Sequence, residues 1–437
     1  MPKYAFRRHL SAPGLIKAVR ACFDRIEDNG NSKAFSLSDC LMSGFAVFSL
    51  KYPSLLQFDH GRNDELVQDN LKSLYGIARA PSDTYLRERL DTVSPAFLRQ
   101  PFRRIFHLLQ RGKGLEGFDY LDDHYLLSID GTGYFSSSQV HCEQCCQKRH
   151  RDGRVTYYHQ ILSAALVHPD KSEVFPLAPE PIMRQDGQRK NDCERNAATR
   201  LLNALRREHP HMKLIIVEDG LASNAPHIRH LQKLNLRFIL GAKQTGHQFL
   251  FDWVNTTAGT KTYEFIDDKG IRHNFRTLNG VPLNDANFEL EVNFLEYWEH
   301  HPCGKTQHFS WVTDITITPE NLMQLMRAGR ARWKIENETF NTLKTQGYHF
   351  EHNFGHGYRH LSTVFAYLMM LAFLVDQVQQ HCCALFQRAK HNAERIKYFW
   401  EKMRGLFFHY LLPDWETLYK TIAFGIKPTV PLFNDSS

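Results

Sequence analysis

"HYLLSIDGTGYF", His124 to Phe135, is a short apolar run that reaches an aspartate followed by glycine and threonine. Such a run predicts a strand that delivers Asp130 at its end. "KLIIVEDGLASNAPHI", Lys213 to Ile228, repeats the device with four apolar residues, then Glu218-Asp219-Gly220, then the start of a helix. In an α/β sheet with parallel neighbours such positions fall at one rim, where ligands bind. A single strand-end Asp-Gly is usually a turn. Two of them gain meaning only with a third acid.

Working outward, "RVTYYHQILSAALVH" and "VFPLAPEPI" read as strands. "NDCERNAATRLLNALRREHP" is an amphipathic helix with Asn191 or Asp192 as cap, and "RFILGAK" is a further strand after a helix around "APHIRHLQKLN". The order is strand, strand, strand, helix, strand, helix, strand, over residues 119–243. Residues 244–308 are polar with alternating segments such as "NFELEVNFLEYW", a β-rich insertion. "HFSWVTDITIT" returns to strand character, and a long helix starts near Pro319 and closes the core, 309–360.

Residues 1–118 are helical in pattern, with Ser82 or Asp83 capping one helix. Arg87, Arg89, Arg99, Arg103, Arg104 and Arg111 make this region basic, suited to DNA phosphates or simply to solvated helix faces. Residues 361–437 form a helical C-terminal region. There "LSTVFAYLMMLAFLVDQV" has about 15 mostly apolar residues before Asp376, short for a membrane span, and reads as a buried core helix.

The bulk numbers describe a globular protein: 437 residues, 42% hydrophobic, 23% charged, net charge +7. That length is enough for two or three domains. "MPKYAFRRHL" lacks the layout of a signal peptide, and nine scattered cysteines lack the density of a secreted disulfide scaffold. A reducing cytoplasm is the expected compartment. The basic balance is compatible with a polyanionic partner.

The third acid lies in "RARWKIENETFNTLKTQ", Arg330 to Gln346. On a helix at about 100° per residue, Trp333, Phe340 and Leu343 share one apolar stripe with Glu336 in its middle, while Glu338 faces away. A buried carboxylate needs compensation. One compensation is Arg332, one turn earlier, as a structural i,i+4 pair. The other is a cation site shared with Asp130 and Asp219, because converging carboxylates repel each other and suit Mg²⁺ or Mn²⁺. Two such ions about 3.5–4 Å apart activate a water or 3′-hydroxyl in phosphodiester displacement.

In this arrangement the chain resembles the DDE transposases of bacterial insertion sequences. "SIDGT" is similar to that family's first aspartate motif, "VEDGLASNAPHI" to its second, and "RWKIENETFNTLK" to its tryptophan–x–isoleucine–glutamate helix. The resemblance covers roughly residues 120–360 and includes the β-rich insertion. It implies an RNase H-like (retroviral-integrase-like) α/β core, with Asp130, Asp219 and Glu336 as catalytic ligands of two Mg²⁺ or Mn²⁺ ions. It further implies cleavage at transposon ends, strand transfer into double-stranded target DNA, and a homodimer on the DNA. Arg332 and Lys344 carry over as DNA contacts. Two departures stand out: Gly329 replaces a tyrosine, and Lys344 lies eight rather than seven residues after Glu336, about 80° round the wheel. The alternatives are a nuclease of the same core without strand transfer, and a DNA-binding protein whose acidic site has lost its metal.

"HCEQCCQKRH" places His141, Cys142, Cys145, Cys146 and His150 within ten residues. Structural zinc on Cys142, Cys145, Cys146 and His150, with Cys193 as a substitute ligand, competes with a reading as reduced thiols near a loop. His352 and His356 are not assigned to a metal. Lys190 in "DGQRKNDCE" precedes a helix start and suits a phosphate, or belongs to an ordinary capped loop. Asp314 supports the acidic site or simply ends a strand.

Overall fold

The computed structural model describes residues 8–28, 34–183 and 194–425, which divide into two compact units. The first unit combines residues 1–114, 345–349 and 371–437. Its helices are α1 (Ala12–Phe23), α2 (Leu37–Ser49), α3 (Leu55–Gly61), α4 (Glu65–Tyr75), α5 (Asp83–Asp91) and α6 (Arg99–Arg111). Side-chain oxygens of Ser36, Ser54, Asp64 and Ser82 accept N–H groups in the first turns of α2 to α5. The N-terminal and C-terminal stretches of sequence build one body. Asn70 donates to the carbonyls of Phe407 and Tyr410, and Trp415 donates to that of Leu74. Arg103, Arg104 and Arg111 are exposed on α6, whereas Arg87 is tied to Asp83 and Arg89 to Asp28.

The second unit, residues 115–344 and 350–370, is a mixed α/β body around a single sheet. Its strands are β1 (Asp119–Tyr120), β2 (His124–Ser137), β3 (Cys146–Arg149), β4 (Val155–Val167), β5 (Phe175–Pro176), β6 (Glu180–Ile182), β7 (Leu214–Glu218), β8 (Arg237–Gly241), β9 (Lys261–Ile266), β10 (Arg272–Pro282), β11 (Glu291–His300) and β12 (Thr306–Thr313). The order is β3-β4-β2-β7-β8-β12-β11-β10-β9, with β6 also on β4. Strands β2, β7 and β8 are mutually parallel and the other pairings are antiparallel. Every residue of β7 is buried, as a central strand covered on both faces requires. The β-rich segment after residue 244 forms no sheet of its own. Its strands extend the central sheet through β12, which pairs with β8.

Helices α7 (Glu194–Glu208), α8 (Ala225–Lys233), α9 (Gln248–Thr256) and α10 (Leu322–Arg330) flank this sheet. Alternation along β2 shows that both faces are covered. Ser128 and Asp130 point toward the segment after α10, while a Cβ on Gly131 would meet Glu194 of α7. The long apolar segment forms α12 (Leu361–Cys382), the one described helix long and apolar enough to cross a membrane, and 94% of its apolar window is buried.

Candidate active site

Strands β2 and β7 pair in parallel from Tyr125 with Leu214 to Ser128 with Val217. The same offset carried two residues further sets Asp130 level with Asp219. Asp130 does not end its strand, as the sequence suggested. It lies two residues past the end of the parallel pairing, and on its other edge it stays paired with Ser163 of β4. Continued pairing with β4, as far as Ser137 with Tyr157, keeps β2 extended, with a bulge between Gly133 and Phe135. β7 stops at Glu218, and the parting of the strands opens a cleft bordered by Asp130, Asp219, Glu218, Glu194 and His227.

Asn224 caps α8 by accepting the His227 N–H at 3.2 Å, and Asp219 Oδ1 accepts from the Leu221 N–H at 2.9 Å. The second aspartate is thus held on its own turn. Beside it, Glu218 lies 2.6 Å from Nε2 of His227. Burial works against the imidazolium of His227, but Glu218 outweighs it and raises the pKa. Glu194 reaches the strand because Gly131 leaves it room. Burial raises its pKa, with Asp219 and Glu218 adding to the effect. Nothing in the sequence singles out Glu194, since an acid in a helix's first turn ordinarily complements the dipole.

The helix expected from Pro319 onward is broken. α10 ends at Arg330, a π turn occupies Ile335–Phe340, and α11 covers Asn341–Thr345. A constant 100° step does not hold through such a segment. Phe340 and Leu343 are buried, but Trp333 is 48% exposed, with the Arg332 guanidinium 4.5 Å over its ring. Ser128 Oγ donates to the Arg332 carbonyl at 3.0 Å and fastens this turn to β2. Glu336 is accordingly half-buried, its side chain 35% exposed.

Arg332 neutralises Glu336 directly, with Nη1 2.6 Å from Glu336 Oε1 and 3.3 Å from Asp130 Oδ2. Burial, and next the Glu336 carboxyl, push Asp130 up to about 7, against the opposing pull of the Gly131 N–H and Arg332. Asp130 therefore belongs to both sides of the site: it meets Glu336 through Arg332, and Asp219 across the cleft. The three acids are neighbours without forming a closed ligand set. Among the described residues, the only group of three or more His, Cys, Asp or Glu side chains with ligand atoms all within 4.8 Å is Cys142, Cys145, His159 and His356.

Lys344 pairs with Glu351 at 2.9 Å, and Lys190 lies outside the described residues. Asp314 accepts from Arg237 at 2.5 Å and from the Phe238 N–H at 2.9 Å, so it pins the start of β8. Gly329 sits against Trp311 of β12, whose ring a Cβ would approach to 2.5 Å.

The structure divides the residues of the cysteine cluster between separate surroundings. Cys142 and Cys145 turn inward toward His159 and His356, two histidines not assigned to it from the sequence. Cys146 opens β3 on the opposite side from Cys145 and contacts the Ile182 carbonyl at 3.5 Å. His150 follows β3, about 13 Å further along the chain from Cys146, where its Nε2 meets Thr156 Oγ1 at 2.8 Å. Among the described residues no disulfide forms.

No known family profile matches this chain, and no curated protein matches it. Among solved structures the chain is similar to the piggyBac transposase in a cryo-EM synaptic complex with hairpin DNA. The TM-score is 0.41 at 11% identity, covering 98% of this chain and 86% of that one.

Proposed function

We propose that this chain is a DDE-type DNA transposase of an insertion sequence, which cleaves at the element's ends and joins the 3′ ends to target DNA. The observation that carries the proposal is the parallel register of β2 and β7, which sets Asp130 level with Asp219 just past the end of β7, with the Arg332–Glu336 turn against Asp130. The strand order β6-β4-β2-β7-β8, antiparallel in its first two steps and parallel in its last two, supports an RNase H-like core.

The donor chemistry fits Mg²⁺ or Mn²⁺. Hard carboxylate oxygens line the cleft, and Asp130, pushed up to about 7, is short of positive charge there. Two such ions, when bound, supply that charge and activate a water or 3′-hydroxyl. Asp130 and Asp219 would hold them, joined by Glu336. Arg332, on releasing Glu336, has a guanidinium suited to a DNA phosphate. The π turn supports the same role for Lys344. It absorbs one extra residue without extending the angular sweep, so Lys344 returns to about the face of Glu336 despite its eight-residue spacing. Arg103, Arg104 and Arg111 offer sequence-independent phosphate contacts, and two element ends call for two protomers on the DNA.

The test uses purified full-length protein with labelled DNA carrying the flanking element's ends, in Mg²⁺ or Mn²⁺. Cut and joined products should vanish, by at least about 10³-fold, in Asp130→Ala, Asp219→Ala and Glu336→Ala and persist in Glu338→Ala. Cutting without joining would assign a nuclease instead. DNA binding with no product under either metal would leave only a DNA-binding protein.

A further inference from the structure

Away from the acidic cleft, four metal-ligating side chains converge within the second unit. Cys142 and Cys145 come from the turn between β2 and β3, His159 from β4, and His356 from the segment after α11. Both imidazoles present Nε2. The sulfurs are 3.8 Å apart, His159 Nε2 is 3.3 Å from each of them, and His356 Nε2 is 3.3 Å from Cys145. A tetrahedral ion with Zn–S of about 2.3 Å and Zn–N of about 2.0–2.1 Å requires S···S near 3.8 Å and S···N near 3.5 Å. These four of the six ligand–ligand spacings match a Cys₂His₂ zinc site to within about 0.3 Å, and all four ligand atoms lie within 4.8 Å of one another.

We propose that Cys142, Cys145, His159 and His356 bind one Zn²⁺ ion in a closed structural site. Four protein ligands complete the tetrahedron and leave no position for substrate. Cys145, His159 and His356 are buried, and Phe135 and Tyr134 cover the imidazoles, with ring centroids 4.2 Å from His356 and 5.7 Å from His159. Two thiolates and two neutral imidazoles leave a zinc ion with no net charge, which suits an interior. Binding releases the two thiol protons to solvent. The ion would clip the segment carrying His356, which follows Lys344 and Glu351, to the strand pair that carries Asp130. It stands independently of the transposase proposal, because no acidic-cleft residue takes part.

The experiment measures metal content by mass spectrometry on full-length protein expressed with added zinc and purified under reducing, chelator-free conditions. Wild type, Cys146→Ser and His150→Ala should each hold one zinc per chain, and Cys142→Ser and His356→Ala should lose it. Should the ligand variants fail to fold, wild type reconstituted with Co²⁺ decides the matter. Intense visible d–d bands with a thiolate charge-transfer band, bleached by Zn²⁺, support the site. Folded, reduced wild type without zinc, zinc lost from His150→Ala but kept by His356→Ala, or a weak octahedral cobalt spectrum would each overturn it.

Discussion

Asp130 carries an unusual protonation burden for a surface-cleft aspartate. Burial and then the Glu336 carboxyl raise its pKa to about 7, and Arg332, shared between the two acids, offsets this only in part. A carboxyl whose folded pKa lies above its unfolded value contributes most stability below the unfolded value and loses that contribution as pH rises through the folded one. In chelator-containing buffer, Asp130→Asn should therefore gain on wild type as pH rises from about 4 to 7 and stay level above. Discounted for partial exposure and for sharing with Glu336, the gain is about 1–2 kcal/mol. Urea titrations across that window check it, and a pH-independent difference would mean that Asp130 is solvated. The strands leading to Asp130 and Asp219 were legible in sequence because each residue follows a continuous apolar run, although β2 continues past Asp130 to Ser137. Glu194, His159 and His356 were not legible. Each sits in an ordinary local context, and only the closing of distant segments gives it neighbours.

At the scale of elements, the segment from Arg330 to Thr345 shows where periodicity stops being a guide. The apolar stripe placed Phe340 and Leu343 correctly but put Trp333 inside, because the π turn changes the step between them. If that turn holds one surplus residue, deleting the exposed Asn337 should relax it to α-helix and leave Lys344 on the face of Glu336. On the proposed function, the deletion should retain DNA binding and most joining activity. Inserting an alanine at the same place should swing Lys344 by about 100° and weaken binding at least about tenfold, read by gel shift. Equal loss in both variants would count against the π turn as a register device. The β-rich segment teaches a related lesson: alternation marked its strands well, yet only the pairing of β12 with β8 shows that they lengthen the central sheet.

At the scale of the whole molecule, the first unit is sealed by a charge pair formed between residues far apart in sequence. Lys51, at φ 58°, is fully buried with Nζ 2.7 Å from Asp376 Oδ2 and 3.0 Å from the Ser49 carbonyl. The rings of Tyr348 and Trp400 lie 4.2 and 4.1 Å from it, and the Tyr348 hydroxyl donates to Asp376 at 2.6 Å. Burial pushes Lys51 down and Asp376 up, and each opposes the shift of the other. Asp376→Ala should cost about 3–5 kcal/mol, since it strands a buried cation, while Lys51→Met with Asp376→Leu should cost much less. Denaturation of the three proteins decides it, and equal losses would show that the pair's hydrogen bonds matter more than its charge.

That pair also sets a clock for biosynthesis. At about 5–20 residues per second, Asp376 leaves the ribosome on the order of 20–60 s after Lys51. Through that interval α1 to α6 wait with apolar faces uncovered, while the intervening sheet is free to form first. A nascent chain released before residue 376 carries helices that can never close. Such fragments should be bound by chaperones and cleared by proteases, so that quality control in the cell favours the full-length protein.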